Sequence, residues 1–480
     1  MSCEPGRVPQ PPVTGGPLAD GPMVPRRRLL GAAVGLAATV ATGCGRSDSG
    51  SAHGLGSGGP IRVDPADVVR TNWSRDRFAL GSYSHQPVGA TPELRALLAA
   101  PVDNRIFWAG EATSTAAPST VHGALESGRR AAAEIADGHD GPRRVVVVGA
   151  GVAGVAAARD LVELGHDVVI LEGRDRVGGR IATARPEGWA GPLELGASWV
   201  HSAGAHDLAA RLEDAGAGTE RWDWDRTTVV GESSDEADGN DDAFESVLVD
   251  AVAFAQDREQ DRSLQTALEQ TDAPSAIDPD PLDARLRVEI TTEFGADPAD
   301  LSASSTFEEG SDGEDRLVLD GYGRLVDQLV DGLDVRLGVT VSRIDRDATG
   351  VTVSAESGAA ERADAVVVTI PLGVLQSGAV EFGPPLPATT LAAGLGLGMG
   401  LLDKVFVRVD EVGHDDTLGW SLTGDGPEPF RDWLNLEPMT GSPVLMALVG
   451  GRRARAWSER TDAEVAAGAQ ASLRRIFGDR

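Results

Sequence analysis

The sequence predicts an α/β protein in which a Rossmann-like dinucleotide-binding domain is joined to an α+β domain. A β-branched run, Arg144–Val148, leads through a glycine-rich turn into an alanine-rich stretch, 155–164, that has the composition of a helix. A second apolar run, Asp167–Leu171, ends at Glu172. A strand, a glycine turn, a helix and a second strand that ends in an acid are, in this order, the parts of a Rossmann unit.

The turn carries three glycines in the G-x-G-x-x-G spacing, and each has its own physical role. Gly149 permits the tight turn, Gly151 lets the backbone approach a pyrophosphate, and Gly154 lets the helix pack closely on the strand. Glu172 follows about 20 residues later, where a carboxylate accepts hydrogen bonds from ribose hydroxyls. Because strands and a helix flank the glycines in the required order, we interpret them as a dinucleotide site and not as an incidental turn.

Length and composition place these elements in a large globular protein. The chain has 480 residues, enough for two or three domains, and its 41% hydrophobic and 24% charged residues are near globular averages. A net charge of -31 disfavours nucleic acid as a partner and favours cationic small molecules. With only Cys3 and Cys44, the sequence excludes a disulfide framework, a cysteine-based zinc site and an iron–sulfur cluster. Among the 43 basic residues, Lys404 is the single lysine.

Residues 1–43 have the pattern of an export signal. Three consecutive arginines at 26–28 precede an apolar run, 29–41, that is too short to span a membrane. The arginines resemble a twin-arginine signal, and the small residues before Cys44 resemble a lipoprotein cleavage box. We therefore expect an exported protein that contacts a membrane only through a lipid on Cys44, with 44–60 as a flexible tether. The alternative is a disordered arm with an accidental apolar patch.

The residues after Glu172 distinguish FAD from NAD. They read RDRVGGR and resemble the doublet-glycine motif of the two-dinucleotide-binding flavoproteins, whose glycines and arginine serve the FAD pyrophosphate. This resemblance implies FAD as the cofactor. It assigns FAD binding to Arg174, Gly178, Gly179 and Arg180.

A second segment, 104–133, closely resembles the C-terminal FAD-binding segment of the flavin amine oxidases, the family of monoamine oxidases, polyamine oxidases and lysine-specific histone demethylases. In that family the segment comes last, whereas here it precedes the glycine turn. We therefore expect a circular permutation, in which the family order would be about 143–480 followed by about 60–136. The alternative is a rearranged gene whose product does not fold.

The resemblance also divides the chain into alternating FAD-binding and substrate-binding segments. The insert of the substrate domain includes an acid-rich stretch, 232–242, with few apolar residues. We interpret this stretch first as a solvated loop, and the alternative is an acidic mouth that concentrates polyamines. The expected segments are 61–100 (substrate), 101–203 (FAD), 204–320 (substrate insert), 321–376 (FAD) and 377–480 (substrate).

The resemblance assigns the catalytic role to Lys404. The segments 366–375, 382–386 and 398–406 follow the order of the family, and Lys404 falls on the lysine that holds a water near flavin N5 there. Arginine is a poor substitute, because lysine is a compact charge whose pKa shifts readily on burial. Since the chain uses lysine nowhere else, this role is favoured over that of a surface lysine.

On the substrate side, Trp73, Phe78 and Tyr83 recur every five residues and match the aromatic walls beside the flavin in polyamine oxidases and demethylases. Aromatic faces exclude water and tolerate a cation, which suits an alkylamine. The alternative is that the three residues are ordinary core aromatics. The segment 194–202 resembles the spermine-oxidase-like branch and implies that His201 lies near the substrate, although a surface or core histidine is equally compatible with the sequence.

Two departures from the monoamine oxidases bear on the pocket. Ser82 stands where those enzymes have the cysteine that attaches FAD, so we expect noncovalent FAD. Thr120 replaces the second tyrosine of their aromatic pair, which implies a more open substrate pocket, and the helix after it would direct its N-terminal dipole at the flavin. Glu111 is expected to hydrogen-bond the ribityl or phosphate side of FAD, and Val341 to lie near adenine. The cofactor contacts implied by the resemblance are completed by Gly110 and Val121.

Together these features predict an exported FAD-dependent amine oxidase that acts with O2 on a polyamine-like primary or secondary amine. The substrate would lose a hydride to flavin N5, the imine would hydrolyse, and O2 would be reduced to H2O2. An L-amino-acid oxidase needs an arginine clamp for the substrate carboxylate, and Ser198 and Trp199 stand where those enzymes tend to have Met-Arg. A third alternative is a flavin-binding surface lipoprotein without activity. The sequence leaves the identity of the amine and the oligomeric state open.

Overall fold

The computed structural model describes six stretches of the chain, and the predicted export signal and the whole tether, including Cys44, lie outside them. The described residues are 62–138, 141–271, 273–307, 313–412, 417–424 and 426–478. No helix within these stretches is both long and apolar enough to cross a bilayer.

A five-stranded parallel sheet contains both strands of the predicted Rossmann unit. Its central strands are almost entirely buried, as expected of parallel strands rich in valine and isoleucine. In register, Val146 lies between Val169 of one neighbouring strand and Val366 of the other. In spatial order the strands are Asp334–Arg336, Asp167–Leu171, Arg144–Val148, Ala365–Val368 and Ile106–Trp108.

Two helices pack against each other beside this sheet. Val152–Glu163 follows the glycine turn, and Val121–Asp137 precedes it in the chain. They approach closely because small residues lie at their contact: a Cβ on Gly128 would stand 2.1 Å from the carbonyl oxygen of Ala153. The first of these helices begins earlier than the predicted residue 155, because Gly151 already takes the N-cap position.

A six-stranded sheet forms the core of the second domain. Neighbouring strands run antiparallel except for Thr227–Val230, which is parallel to Gly419–Leu422. Fully buried aromatic residues such as Phe406 and Trp433 fill its core. In spatial order the strands are Val68–Arg70, Leu402–Arg408, Val444–Gly450, Asp432–Asn435, Gly419–Leu422 and Thr227–Val230.

The early part of the chain is built into both large sheets. Ile106–Trp108 is an edge strand of the parallel sheet, beside Ala365–Val368. Val68–Arg70 is an edge strand of the six-stranded sheet and pairs with Leu402–Arg408. Residues that precede the glycine turn therefore pair with strands that come from much later in the chain.

The C-terminal helix Asp462–Phe477 lies against the first described residues. The side-chain oxygen of Gln470 accepts a hydrogen bond from the backbone N–H of Val63 at 2.8 Å. At the other end of the helix, Asp462 pairs with Arg70 at 2.8 Å. The beginning and the end of the described chain are thus neighbours in the fold.

A four-stranded sheet extends the FAD side of the molecule. Its strand Glu381–Gly383 pairs with Val341–Asp347, although it belongs to the segment 377–480 that we expected to form the substrate domain. The four-stranded sheet is completed by Gly350–Ala355 and Ala360–Ala363. The smaller sheets pair Trp199–Val200, Arg316–Val318 and Thr219–Arg221, then Ser84–His85 with Gly398–Met399, and Thr183–Ala184 with Leu193–Glu194.

The interpretation of 232–242 as a solvated loop is wrong, because most of it begins the helix Ser234–Gln256. The helix starts with a capping box: the Ser233 hydroxyl accepts from the backbone N–H of Glu236, whose carboxylate accepts from the backbone N–H of Ser233. The apolar residues that anchor the helix, among them Phe244, come only after the acidic stretch. The residues of the acidic stretch alone therefore do not show the apolar spacing that predicts a helix.

Further helices complete the fold. A π-helical turn, Leu286–Thr291, joins Pro279–Arg285 to Thr292–Phe294 in one continuous helical stretch. The other helices are Glu93–Ala99, Leu208–Asp214, Leu264–Glu269, Ala273–Ala276, Gly323–Val330, Leu372–Ser377, Ala388–Gly396, Glu437–Thr440 and Gly451–Trp457, with 3₁₀ turns at Pro65–Asp67, Glu111–Thr113 and Trp224–Arg226.

Candidate active site

A cavity of about 1350 Å³ is lined by residues of the parallel sheet, the six-stranded sheet and the surrounding helices. It gathers residues from motifs that lie far apart in the chain. Among the predicted site residues in the described stretches, all but Gly154 line it. Those that do are Trp73, Phe78, Tyr83, Gly110, Glu111, Thr120, Val121, Gly149, Gly151, Glu172, Arg174, Gly178, Gly179, Arg180, His201, Val341 and Lys404.

The glycine turn forms an open cradle in this cavity. Gly149 has a φ of +106°, which favours glycine, and a Cβ there would meet Thr369 Oγ1 at 2.6 Å. A Cβ on Gly154 would stand 2.1 Å from the carbonyl oxygen of Gly149, so Gly154 serves packing. Apart from Gly151 and its two chain neighbours, no residue of the described stretches has an atom within 4 Å of a Cβ on Gly151. This open side, at the N-terminus of Val152–Glu163, fits a pyrophosphate.

The RDRVGGR segment folds onto the glycine turn. The backbone N–H of Gly178 donates to the carbonyl oxygen of Ala150 at 2.8 Å, and both Gly178 and Gly179 have positive φ values, +97° and +59°. Arg176 holds the loop from within, donating to the carbonyl oxygens of Gly179 at 2.9 Å and Ile181 at 3.2 Å. The sequence interpretation gave Arg176 no role of its own, because a motif does not show which arginine turns inward.

Glu172 lies at the end of its strand, as predicted, and its buried carboxylate faces the cradle. It accepts hydrogen bonds from the backbone N–H groups of Ala150 at 2.7 Å and Arg174 at 2.8 Å, which leaves acceptor capacity on each oxygen. Arg174 pairs with Asp76 at 2.7 Å, while its Nη2 is buried without a hydrogen-bond partner in the described stretches. A nucleotide would use such unsatisfied donors and acceptors.

The three predicted aromatic residues all line the cavity, and each has its own neighbours there. Phe78 lies beside the RDRVGGR segment, where the guanidinium carbon of Arg174 is 5.3 Å from its ring centroid. Tyr83 lies elsewhere in the cavity wall and donates its hydroxyl hydrogen to the carbonyl oxygen of Thr292. The segment between Trp73 and Tyr83 forms successive turns and has no regular repeat.

Protein donors contact both carboxylate oxygens of Glu111, which lines the cavity. Its Oε1 accepts from Arg180 at 2.8 Å, and its Oε2 accepts from the backbone N–H and hydroxyl of Ser84 and from the backbone N–H of Ser119. Burial would raise the pKa of Glu111, but the guanidinium groups of Arg180 and Arg95 hold it below its usual value. Oε2 accepts three hydrogen bonds and Oε1 accepts one, so Glu111 organises the site while Oε1 keeps acceptor capacity toward the cofactor.

Thr120 is the N-cap of Val121–Asp137, so the helix begins where the sequence predicted. The Thr120 hydroxyl accepts from the backbone N–H of Gly123 at 3.0 Å and donates to the carbonyl oxygen of Ala117 at 2.8 Å. The hydroxyl hydrogen is therefore already used within the protein. The end of the helix still reaches the cavity, because Val121 lines it.

Lys404 lies on Leu402–Arg408 with its ammonium group inside the protein. Nζ donates to the carbonyl oxygens of Glu194 at 3.0 Å and Gly196 at 2.6 Å, and to the hydroxyl of Ser198. Burial lowers the pKa of Lys404 to about 7, against the opposing effect of the Glu194 carboxylate. Both protonation states are therefore accessible near neutral pH.

Tryptophans surround Lys404, and the sequence interpretation assigned only one of them to the site. Nζ lies 5.4 Å from the ring centroid of Trp199, which stacks on Trp224 at 6.0 Å. The indole N–H of Trp73 donates to the carbonyl oxygen of Leu195 at 3.2 Å, within the loop that holds Nζ. Trp199 stands in a segment that the sequence analysis already singled out, whereas no sequence signal connects Trp224 to Lys404.

His201 lies in the cavity wall within a charged cluster. Its Nδ1 is 3.0 Å from one carboxylate oxygen of Asp315, and the indole N–H of Trp224 donates to the other at 3.0 Å. Burial would lower the pKa of His201, but Asp315 and Glu293 raise it to about 9. At neutral pH His201 is an imidazolium, which disfavours direct contact with a cationic amine.

Acidic side chains line much of the cavity wall. Glu289 and Glu293 belong to the continuous helical stretch. Glu232 and Asp241 flank Arg285 and pair with it at 3.3 Å and 2.6 Å. Sequence reasoning missed most of these acids, because they come from separate elements. The acids that line the cavity are Asp225, Glu232, Asp238, Asp241, Asp242, Glu245, Glu289, Glu293 and Asp315, besides the predicted Glu111 and Glu172 and the surface-paired Glu356.

Comparison with known proteins assigns this arrangement to a family. The family described as flavin containing amine oxidoreductase matches residues 52–136 and 152–480, which is most of the chain. The chain belongs to the flavin-containing amine oxidoreductases. It is therefore an amine oxidase that uses FAD as its cofactor and an amine and O2 as its substrates.

Relatives of this amine oxidase include plant polyamine oxidases. It is 29% identical over 360 residues to polyamine oxidase 4 of Oryza sativa subsp. japonica, which covers 70% of this chain and 74% of the relative. Polyamine oxidase 2 of Arabidopsis thaliana is 30% identical over 360 residues, covering 70% and 72%. Wild-type putrescine oxidase bound to putrescine shares the fold, with a TM-score of 0.54, 23% identity and coverage of 70% of this chain and 82% of that chain.

Family membership favours an amine oxidase over an amino-acid oxidase or an inactive flavin protein. The charged groups in the cavity also favour an amine oxidase, because each arginine that lines it in the described stretches is paired with a carboxylate. An arginine clamp for the carboxylate of an amino acid would therefore have to compete with these pairs. The pairs are Arg77 with Glu356, Arg174 with Asp76, Arg180 with Glu111, and Arg285 with Glu232 and Asp241.

Proposed function

We propose that this amine oxidase oxidises a diamine or polyamine, with the reacting amine near Lys404 and the rest of the cation along the acidic wall. The observation that carries this proposal is that Lys404, Glu289 and Glu293 line one cavity. Acidic walls concentrate cationic ligands, and the surplus of acids over bases in the whole chain acts in the same direction. The similarity to proteins named as polyamine oxidases adds support.

FAD would be held by the open backbone at Gly151 and the adjoining helix N-terminus, with Glu172 at the ribose and Arg174 as a further donor. Bound FAD supplies the acceptor for the hydride, and O2 takes up the two electrons and two protons as H2O2. We propose that FAD binds noncovalently. The Ser82 hydroxyl exchanges hydrogen bonds with the backbone of Leu402, at 2.8 Å and 2.9 Å, and offers no thiol.

Lys404 would release and take up a proton near the reacting amine. Its ammonium form uses all three donors on Glu194, Gly196 and Ser198, whereas the neutral form has two donors and one lone pair. Loss of a proton therefore lets Nζ accept a hydrogen bond from a water or from the substrate. The substrate loses a hydride from its α-carbon and a proton from nitrogen, and water hydrolyses the resulting imine.

Two further proposals concern the history and location of the chain. We propose that its order is a circular permutation of the family order. The contact between Val63 and Gln470 supports this, because a short connection could join the C-terminal helix to the early segment.

We also propose export through the twin-arginine-like signal, with lipidation at Cys44. A Cys44→Ser variant should then move from the membrane fraction to the soluble exported fraction.

Screening the purified protein against an amine panel tests the proposed function. We expect a flavin absorption spectrum and H2O2 release with putrescine, spermidine or spermine, and much weaker release with L-amino acids. Release only with amino acids would support an amino-acid oxidase. Bound flavin that no amine reduces under anaerobic conditions would contradict the proposal.

A further inference from the structure

We infer that Ser198 relays the proton between the reacting amine and Lys404, an inference that rests on the proposed function. Lys404 Nζ contacts three groups of the protein, which are the carbonyl oxygens of Glu194 and Gly196 and the hydroxyl of Ser198. Ser198 and Lys404 both line the cavity, although only 3% and 4% of their surfaces are exposed. The relay therefore acts inside the protein, between Nζ and the space where an amine binds.

Among the three groups around Nζ, the Ser198 hydroxyl is the one that can change its hydrogen-bonding role. A carbonyl oxygen can only accept a hydrogen bond, whereas a hydroxyl can donate as well as accept. In the ammonium form of Lys404, Ser198 Oγ accepts a hydrogen from Nζ. In the neutral form, Nζ keeps two N–H groups for the two carbonyl oxygens, and its lone pair can accept the hydroxyl hydrogen of Ser198.

The backbone of the segment 195–198 is fixed along its length. Its first N–H donates to the carbonyl oxygen of Ala182 at 2.8 Å, its third donates to that of Arg180 at 3.2 Å, and its last carbonyl oxygen accepts from the N–H of Val318 at 2.9 Å. A Cβ on Gly196 would stand 1.7 Å from the carbonyl oxygen of Arg180, so this close approach requires glycine. The hydroxyl at the end of the segment can still rotate, because its rotation moves no backbone atom.

The hydroxyl hydrogen of Ser198 is not committed to one strong acceptor in the described stretches. Oγ lies 3.3 Å from the carbonyl oxygen of Glu194 and 3.5 Å from that of Gly196, at the long end of hydrogen-bond distances. Both carbonyl oxygens already accept from Nζ. Transfer of this hydrogen to Nζ therefore breaks only long contacts.

The relay performs a proton transfer in which no electrons are exchanged. An alkylamine is an ammonium ion near neutral pH and must lose a proton before its α-carbon can give up a hydride. A substrate N–H bond breaks and its proton forms a new O–H bond on Ser198, while the original O–H bond breaks and that proton forms the third N–H bond on Lys404. The substrate becomes a neutral amine, and the positive charge moves to Lys404.

The carboxylates near Lys404 do not replace the hydroxyl as a partner of Nζ. Burial lowers the pKa of Lys404, and the Glu194 carboxylate opposes this effect. That carboxylate accepts from the Thr183 hydroxyl at 2.9 Å, and the carboxylate of Asp403 accepts from the Thr71 hydroxyl at 2.7 Å. Among the groups of the described stretches that contact Nζ, the serine hydroxyl is thus the one that can pass a proton on.

The test compares Ser198→Thr with Ser198→Val in the holoenzyme. The two side chains have nearly the same shape and only threonine carries a hydroxyl, so their difference separates proton transfer from packing. In anaerobic stopped flow with putrescine at pH 7, flavin reduction should be at least about tenfold slower in the valine variant than in the threonine variant. Ser198→Ala, which needs no extra space, should also be slower than Ser198→Thr. Equal rates in the threonine and valine variants would overturn the inference.

The pH dependence of the same rates distinguishes a relay from a packing defect. The fraction of neutral amine in solution rises as the pH approaches about 10, the usual pKa of an alkylamine, and a neutral substrate needs no relay. The difference between the valine and threonine variants should therefore shrink from pH 7 to pH 9.5. A difference that is constant over this range would assign the loss to packing and contradict the relay.

Lys404 can be observed directly, because it is the single lysine of the chain. Protein made with lysine labelled with ¹⁵N at Nζ should give one side-chain signal, which reports how fast the Nζ hydrogens exchange with water. We expect this exchange to be at least about tenfold slower in Ser198→Val than in Ser198→Thr. Equal exchange in the two variants would mean that Nζ meets water without the hydroxyl, which refutes the relay.

Ser472→Ala is the control for the loss of a buried hydroxyl. Ser472 is fully buried in the C-terminal helix, donates to the carbonyl oxygen of Gly468 at 3.0 Å and does not line the cavity. This variant should keep the wild-type rates of flavin reduction and of Nζ exchange. Losses as large as those in Ser198→Val would show a general effect of destabilisation and count against the relay.

The exchange measurement requires no turnover, so it separates the relay from the proposed function. Slow exchange in Ser198→Val, together with a wild-type holoenzyme that oxidises no diamine or polyamine, would refute the proposed function and support the contact between the hydroxyl and Nζ. Oxidation of putrescine with equal exchange in the valine and threonine variants would support the proposed function and refute the relay.

Discussion

Arg180 Nη1 lies 2.8 Å from Glu111 Oε1 and joins the RDRVGGR segment to the 104–133 segment. The same arginine nitrogen also donates to the carbonyl oxygen of Ser82 at 2.9 Å. One charged contact therefore connects the two motifs that resemble FAD-binding segments, although the glycine turn lies between them in the chain. Because the Glu111 side chain is only 6% exposed, the contact is shielded from solvent and from salt.

Replacing Glu111 by glutamine tests this connection. Glu111→Gln leaves Arg180 and Arg95 without their carboxylate, so the free energy of unfolding should fall by about 2–4 kcal/mol and FAD affinity with it. Chemical denaturation and FAD titration measure the two effects. Glu356→Gln is the control, because its pair with Arg77 is more than half exposed on both sides and should contribute under about 1 kcal/mol. Equal losses in both variants would argue against a special role for Glu111.

Substitutions at two glycines of the glycine turn should separate the effect on folding from the effect on cofactor binding. Gly154→Ala brings a Cβ to within 2.1 Å of a carbonyl oxygen and should lower the free energy of unfolding by about 1–3 kcal/mol. Gly151→Ala has open space and a φ of -73°, so the FAD-free protein should keep its stability within about 0.5 kcal/mol. Its FAD affinity should nevertheless fall at least about tenfold, because the methyl group occupies the cradle. A loss of stability in Gly151→Ala equal to that in Gly154→Ala would contradict this division.

Lys404→Met should slow flavin reduction or reoxidation by about tenfold or more, while FAD stays bound. Stopped-flow absorbance resolves the two half-reactions. Lys404→Arg keeps the charge but cannot release the proton near neutral pH, so it should not restore the rate. Unchanged turnover in the methionine variant would remove Lys404 from the chemistry.

The lowered pKa of Lys404 also predicts how stability depends on pH. Between about 7, its value in the folded protein, and its ordinary value of 10.5, the unfolded chain binds more protons at this residue than the folded one. The contribution of Lys404 to stability therefore increases with pH across this range. The difference in unfolding free energy between the wild type and Lys404→Met should rise from pH 7 to pH 9, and a flat difference would mean that Lys404 titrates normally.

His201 should show the opposite dependence. Its pKa is raised from 6.5 to about 9, so its stabilising pairing with Asp315 is fully present below pH 6.5 and is lost as the pH rises through 9. Relative to His201→Gln, the wild type should lose about 1 kcal/mol over this range, a figure reduced because the side chain is 36% exposed. Thermal melts at pH 6.5 and pH 9 measure it. If Asp315→Asn leaves the pH dependence of the wild type intact, the pairing is not its cause.

The proposed permutation can be tested by restoring the family order. A variant that runs from 143–478 through a short linker into 62–136 should bind FAD and oxidise the same amines, because Val63 already lies against the C-terminal helix. A variant that lacks 62–136 should not bind FAD, since it loses edge strands of both large sheets. If the reordered protein cannot fold while the natural order can, the two orders are not equivalent.

Local spacing was sufficient to predict the parts of the site that depend on the backbone. The positions of the glycine turn, of Glu172 at the end of its strand and of the helix start after Thr120 follow from residues that are neighbours in the chain. The unique Lys404 could be found in the same way, because its residue type is unusual in this composition. Such features depend on short-range sterics and on chemistry that few residue types provide.

Tertiary structure decided which side chains remain free to act. Packing gives Glu111 four protein donors and holds Lys404 Nζ against two carbonyl oxygens and a hydroxyl group. None of this follows from spacing along the chain, because each outcome depends on partners brought together by the fold from distant segments. The free energy of a buried polar group depends on whether its hydrogen-bond and charge partners are present, and only the folded chain supplies or withholds them.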